Sequence, residues 1–206
     1  MKKLAITAIY AMMILIIVSC GNSKKDETKV EPKTDNLSKE NNTSDKTIAG
    51  SAYFTNLTEK GESAPQIANI FLDAKTDYKA ASLELQPTLE DCKAFYKDEA
   101  VAKKAFDFYS KESGQESSII KPGAGQKESI VAFATTEDLQ KKVWKAKVKE
   151  IFPAGYADAA PFLNPGIKVF VIKFVDQNKT SGIVYDGFAY VNSHWKVFPK
   201  PWNFIK

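Results

Sequence analysis

Apolar residues recur at two spacings along this chain, three or four apart in the first half and two apart in the second. After Ser63-Ala64-Pro65, the residues Ile67, Ile70, Phe71 and Ala74 fall at helical intervals, and Pro65 suits a first helical turn. Tyr78, Ala81 and Leu85 continue the pattern after a break. Pro87-Thr88-Leu89-Glu90-Asp91 marks a clearer start, where Thr88 can cap and Glu90 and Asp91 favour the positive end of a helix dipole. Leu89, Cys92, Phe95, Tyr96, Ala102, Phe106 and Tyr109 form an apolar stripe with an irregular middle, fading by Ser113-Gly114.

The second half changes period. "ESIVAFAT", Glu128 to Thr135, is strand-like, and Thr136-Glu137-Asp138 can open a short helical turn. "VWKAKVK", Val143 to Lys149, alternates apolar residues with a lysine face, as a half-buried strand whose lysines blunt a sheet edge. The lysine row as a site for an acidic partner, and a helix running on from Glu137 through 137–149, are the alternatives. Phe152-Pro153-Ala154-Gly155-Tyr156 breaks the chain. "GIKVFVIKFV", "SGIVYDGFAYV" and "HWKVF" then read as three strands, the last two joined by a two-residue turn at Asn192-Ser193. Helices followed by an antiparallel meander predict an α+β domain, with the N-terminal helices packed on a curved, cone-like sheet.

The N-terminal segment has another logic. Lys2 and Lys3 precede an apolar run from Leu4 to Val18, which Ser19 and Cys20 close. That order is a secretory signal, predicted to span 1–19. As a helix the run is about 22 Å long, short of the roughly 30 Å hydrocarbon core, so a transmembrane helix is the weaker reading. Ile17-Val18-Ser19-Cys20 resembles the bacterial lipobox, with Ile where Leu is commonest. The resemblance implies that the Cys20 thiol is acylated and becomes the new N-terminus, several acyl chains at about 0.8 kcal/mol per buried CH₂ giving a firm anchor. An ordinary signal cut near Ser19 is the alternative. Ser23-Lys24-Lys25-Asp26-Glu27 resembles the export tag of Bacteroidota surface lipoproteins, and Asn22 rather than Asp points away from inner-membrane retention. The implied address is the outer membrane, on its periplasmic face or at the cell surface. Residues 20–47 are polar and without aromatics, a composition that predicts a disordered tether. Its flexible part would reach roughly 30 Å root-mean-square. A single domain, 48–206, follows.

Composition narrows the partners. All 29 basic residues are Lys, against 25 acids, and Lys2 and Lys3 leave with the signal. The mature chain is nearly neutral and has no Arg, the residue on which base and phosphate recognition usually leans, so no nucleic-acid partner is expected. Of the two cysteines only Cys92 stays free after acylation; it falls inside a predicted helix, as a small buried hydrophobe does. No metal-ligand spacing, nucleophile–base pair or phosphate loop appears, and Lys121-Pro122-Gly123-Ala124-Gly125 reads as a flexible loop. No catalytic residue, metal or cofactor is therefore expected.

One group of residues is a candidate site. Pairing the last hairpin across Asn192-Ser193 sets Val191 opposite His194, Tyr190 opposite Trp195, Phe188 opposite Val197 and Gly187 opposite Phe198. Strict alternation then puts Val184, Asp186, Phe188, Tyr190, Trp195 and Val197 on one face. A carboxylate among aromatic rings needs a raised pKa, a partner or a ligand, so Asp186, Phe188, Tyr190 and Trp195 are a possible ligand pocket. Alternatively Asp186-Gly187 is a turn or bulge signal, with Asp186 bonding its own backbone or lying in water at the rim. His194 falls on the face opposite Asp186, which disfavours a pair between them, and reads as a surface residue. Pro199-Lys200-Pro201-Trp202 blocks further ladder pairing, and Trp202 is expected to fold back as a lid on the core, or else to present an exposed aromatic to a carbohydrate or protein.

"YDGFAYVNSHWKVFPKPW" resembles a C-terminal signature of exported Bacteroidota lipoproteins. The architecture resembles the nuclear transport factor 2-like and cystatin-like domains. These resemblances imply a cone with a pocket and no particular activity. The expectation is a lipid-anchored, noncatalytic binding or interaction module for an apolar small molecule or an envelope protein. The rivals are an enzyme using Asp186 as general acid or base, and a structural envelope component.

Overall fold

The computed structural model describes residues 53–58, 63–141 and 151–205. Four helices come first: α1 (Ser63–Leu72), α2 (Tyr78–Glu84), α3 (Leu89–Phe95) and α4 (Glu99–Glu112). Three of their starts have a local cause. Asp77 and Asp98 accept from the backbone N–H groups of Ala80 and Val101, capping α2 and α4. Thr88 accepts from Asp91 N–H while the Asp91 carboxylate accepts from Thr88 N–H, a capping box that opens α3. The irregular middle of the apolar stripe is a break between two helices: Tyr96 is extended and bridges to Leu163, and the chain restarts at Asp98.

Strand β1 (Gln126–Thr135) leads into α5 (Thr136–Gln140), opened by a second capping box on Thr135 and Asp138. The strand or helix expected at 143–149 lies outside the described residues. The break expected at Phe152 to Tyr156 runs into one further short helix, α6 (Tyr156–Ala159), and a 3₁₀ turn at Ala160–Phe162. Strands β2 (Lys168–Asp176), β3 (Gly182–Val191) and β4 (His194–Val197) complete an antiparallel sheet in the order β1-β2-β3-β4. The fold is α+β, as the change of period predicts. No described helix is long and apolar enough to cross a membrane.

Both faces of this sheet are covered. Phe170, Ile172, Phe174, Phe188 and Trp195 share one core with Ile67 and Phe71 of α1 and with Leu85. Val169, Val171, Ala189, Val191 and Phe198 share the other with Cys92, Phe95, Tyr96 and Tyr109. Phe95 stacks on Phe198 with ring centroids 4.0 Å apart. Large side chains buried in this way contribute about 1.5–3 kcal/mol each. Strand β2, apolar on both sides, is the layer that the two cores have in common.

The β3–β4 hairpin has the predicted register, Val191 opposite His194, Tyr190 opposite Trp195 and Phe188 opposite Val197. Asn192 and Ser193 turn with φ of 48° and 67°, the positive pair of a type I′ turn. On its other side β3 departs from strict alternation. Phe170 pairs with Phe188 but Val171 pairs with Asp186, which leaves Gly187 as an inserted residue at φ 90°. This is a β-bulge, and it inverts the facing of every residue before it. Asp186 consequently shares a face with Val171, and Phe188 with Phe170. The alternative reading of Asp186-Gly187 as a bulge is the one that the structure adopts.

Candidate functional site

Strand β3 has ten residues, yet β4 pairs only with Phe188 to Val191. Pro199 lacks the N–H needed to extend the ladder, Lys200 adopts φ 50°, and Pro201–Asn203 turn away as a 3₁₀ segment. The uncovered stretch of β3, Val184 to Asp186, therefore borders a pocket of about 340 Å³. The other walls include Leu85, Gln86 and Pro87 between α2 and α3, Phe108, Tyr109 and Glu112 at the end of α4, the segment from Ser117 to Ile120, and the chain after β4 at Pro199, Lys200 and Asn203. The pocket exists because the prolines end β4 early.

Asp186 and Ser82 are buried polar residues on this wall, and Asp186 is the one that carries a charge, 8% exposed. Its Oδ1 accepts from the Tyr156 hydroxyl at 2.9 Å and from Lys200 N–H at 3.1 Å. Tyr156 also reaches the Phe198 carbonyl at 3.2 Å. Burial holds the Asp186 carboxyl above the ordinary Asp range, against the opposing pull of Lys200 N–H, the Tyr156 hydroxyl and the Lys200 ammonium. Burial, followed by the charge of Asp186, pushes Tyr156 well above the usual tyrosine range, so it acts as a donor at neutral pH. Oδ2 receives no such bond. Among the described residues every fully buried side-chain nitrogen and oxygen has a partner. Oδ2 therefore keeps its access to the pocket.

The four residues grouped from the sequence do not converge. Asp186 lines the pocket, whereas the bulge puts Phe188 and Trp195 in the core on the opposite face. Trp195 Nε1–H donates to the Thr58 carbonyl at 3.3 Å. Tyr190 packs on Trp195, centroids 5.7 Å apart, and borders a separate cleft of about 170 Å³ next to Phe170. Strict alternation ignores an inserted glycine, which is why the grouping fails. Tyr156 and Lys200, which hold Asp186 in place, carry no signal in the sequence beyond the break and the prolines that surround them. Trp202 does fold back, edge-on to Tyr156 at 5.2 Å, with Gly155 so close that a Cβ there would lie 2.3 Å from the indole. Cys20 lies outside the described residues.

His194 has an acidic partner, but not Asp186. Its Nε2 lies 2.8 Å from Asp91 Oδ1, and Asn192 Nδ2 donates to the same oxygen at 2.9 Å. Asp91 Oδ2 accepts from Thr88 N–H and Oγ1 at 3.0 and 2.8 Å. Burial pushes this carboxyl up, and the bonds from Thr88, Asn192 and His194 together hold it below the usual range. Half of the imidazole stays in water while the carboxylate is 1% exposed. The cluster borders neither cavity described above, and its evident work is to tie the β3–β4 turn to the start of α3. Among the described residues no group of His, Cys, Asp and Glu could hold a metal ion. Comparison with known proteins finds no matching family, no matching curated protein and no matching solved structure.

Proposed function

We propose that this chain is a lipid-anchored envelope protein whose folded domain is a noncatalytic binding module for a small, largely apolar molecule. The carrying observation is the pocket beyond the end of β4, where the carboxyl of Asp186 sits in a wall that mixes apolar side chains such as Leu85, Phe108 and Ile120 with polar ones such as Ser82, Gln86 and Asn203. At about 340 Å³ it lies at the low end of small-ligand sites, which run roughly 300–1,000 Å³. A few placed polar groups in an apolar cleft orient a ligand in such sites. The partners of Asp186 are groups that hold it still, a tyrosine hydroxyl inside the core and a backbone N–H. The lipobox-like Ile17-Val18-Ser19-Cys20 supports the anchor, with the outer membrane as the proposed address. An envelope protein bound over the same pocket is the other occupant that this reading admits.

One observation favours an enzyme instead. A carboxyl held above its ordinary range suits a general acid or base. Catalysis would need a second reacting group within hydrogen-bond reach of Oδ2, and none is present among the described residues.

The binding reading is tested with the mature chain, made without the leader and carrying Cys20→Ala, titrated with the neutral apolar fluorophore N-phenyl-1-naphthylamine. Fluorescence enhancement that saturates in the parent and disappears in Val184→Trp is the expected result. Val184 is 38% exposed on the pocket wall, so an indole there fills the cavity without entering the core. Absence of enhancement in the parent, or equal enhancement in Val184→Trp, would overturn the proposal.

A further inference from the structure

The two oxygens of Asp186 are used unequally. Oδ1 takes two donors from the protein, and Oδ2 takes none and faces the pocket. Taking a carboxylate out of water is costly, and two hydrogen bonds to one oxygen offset only part of that cost. The remaining acceptor is the more deeply buried of the unpaired carboxylate oxygens on the wall. A charged donor compensates it better than a neutral one, because it adds the attraction of opposite charges, in a partly desolvated site, to the hydrogen bond that either donor makes to a carboxylate. Tyr156 and Lys200 N–H also fix the plane of the carboxyl, so an incoming donor meets an oriented acceptor.

The other charges on the pocket favour the same sign. Glu112, at the end of α4, lines the pocket, and among the described residues no hydrogen bond or salt bridge reaches its carboxylate. Among the described residues Lys200 is the single cation of the lining, and its side chain belongs to an exposed residue. Two carboxyl groups therefore face one lysine across walls that include Leu85, Phe108, Ile120 and Val197. An anion would meet both acids, while an uncharged apolar molecule would leave Oδ2 with water or nothing.

We infer that the ligand is a small amphiphilic amine, with its ammonium head on Asp186 Oδ2 and its apolar body against Leu85, Ile120 and Val197. This rests on the binding reading above and narrows it to one chemical class. The head would also bring the positive charge that balances Glu112 against Lys200. A neutral alcohol of the same shape would make that hydrogen bond without the attraction of opposite charges, and a carboxylate would be repelled.

Three probes with one body separate these cases: tryptamine, tryptophol and indole-3-acetate. Each is titrated against the mature Cys20→Ala chain, followed by the methyl NMR signals of Leu85, Ile120 and Val197 and by calorimetry. Tryptamine is expected to shift those methyls and to bind about tenfold or more tightly than tryptophol, the margin of an opposite charge near a protein surface. Indole-3-acetate is expected to bind more weakly than either. In Asp186→Asn, which keeps an acceptor for Tyr156, the preference for tryptamine should collapse while weak tryptophol binding persists. Equal affinity for tryptamine and tryptophol, or tighter binding of indole-3-acetate, overturns the amine and leaves the binding module standing. No shift at the three methyls with any probe overturns both. The comparison among probes needs only the parent chain, so it decides the question even if Asp186→Asn fails to fold.

Discussion

At Gly187 the backbone passes so close to the end of β4 that a side chain has no room. A Cβ built there would lie 2.3 Å from the Phe198 carbonyl oxygen and 2.9 Å from Pro199 N, and φ is 90°. The same contact is productive in glycine, since Phe198 N–H donates to the Gly187 carbonyl at 2.8 Å. Gly187→Ala is therefore expected to cost about 3 kcal/mol, the sum of a disfavoured φ and a backbone clash. Gly114 separates the two contributions. It too has positive φ, 72°, but nothing within 4 Å of a built Cβ, so Gly114→Ala should cost only about 1 kcal/mol. Urea unfolding of both variants measures the difference, and equal costs would mean that Gly187 is not clamped against Phe198. The consequence reaches the pocket, because this one inserted residue decides which face Asp186 occupies. Asp-Gly is readable in the sequence as a bulge or a turn, but nothing local distinguishes them. The choice is made by Phe198 and Pro199, which close on Gly187 only once β4 has paired.

The elements are held together at their ends by polar clusters, and the start of α3 is the fullest example. Thr88 and Asp91 form the capping box, and Asn192 and His194 then bring the β3–β4 turn onto the same carboxylate. Asp91 is held below its ordinary value of 3.8 in the folded chain. The sign of the linkage follows. Above that ordinary value the carboxylate is ionised in folded and unfolded chains alike, and its stabilisation is complete. As pH falls through the lower folded value the stabilisation is lost. Asp91→Asn should thus be less stable than the parent at neutral pH, with the gap narrowing below about pH 4. Thermal unfolding at a series of pH values checks this, and a gap independent of pH would show that the carboxylate's charge contributes nothing here. The cap itself was legible, because Thr, Glu and Asp at a helix start act through neighbours in sequence. Its tertiary half was not, since His194 stands 103 residues away and gives no sign of its partner. The same contrast runs through the fold. Strands β1 to β4, the Asn192-Ser193 turn and the stop at Pro199 all follow from period and local sterics. Helix α6 and its Tyr156 do not, because four residues carry too short a pattern to be recognised, and burial of the hydroxyl depends on Asp186 and Trp202 arriving from elsewhere.

For the whole molecule, the coverage of both sheet faces bears on how the chain could be attached to a membrane. A domain of this size buries enough apolar surface to do without disulfides, and Cys92 is accordingly a free thiol in the core. Burial, helped by the charge of Asp91, pushes that thiol up to about 12, so it presents almost no thiolate and no accessible sulfur. The chain has two cysteines. If one of them accepts a lipid, the fold leaves Cys20 to do so. The proposed anchor then makes a prediction that separates the two. Cys20→Ala should move the protein from the membrane fraction to the soluble fraction without lowering its unfolding temperature, because no described contact depends on residue 20. Cys92→Ala should do the opposite, remaining in the membrane fraction while losing about 1 kcal/mol or more from the core. Mass spectrometry of the mature N-terminal peptide supplies the direct measurement, an acylated Cys20 in the parent and none in Cys20→Ala. If Cys20→Ala stayed with the membrane, the pocket and the fold would stand unchanged. What would fall is the tether, and with it the picture of a ligand-binding domain searching within roughly 30 Å of a lipid surface.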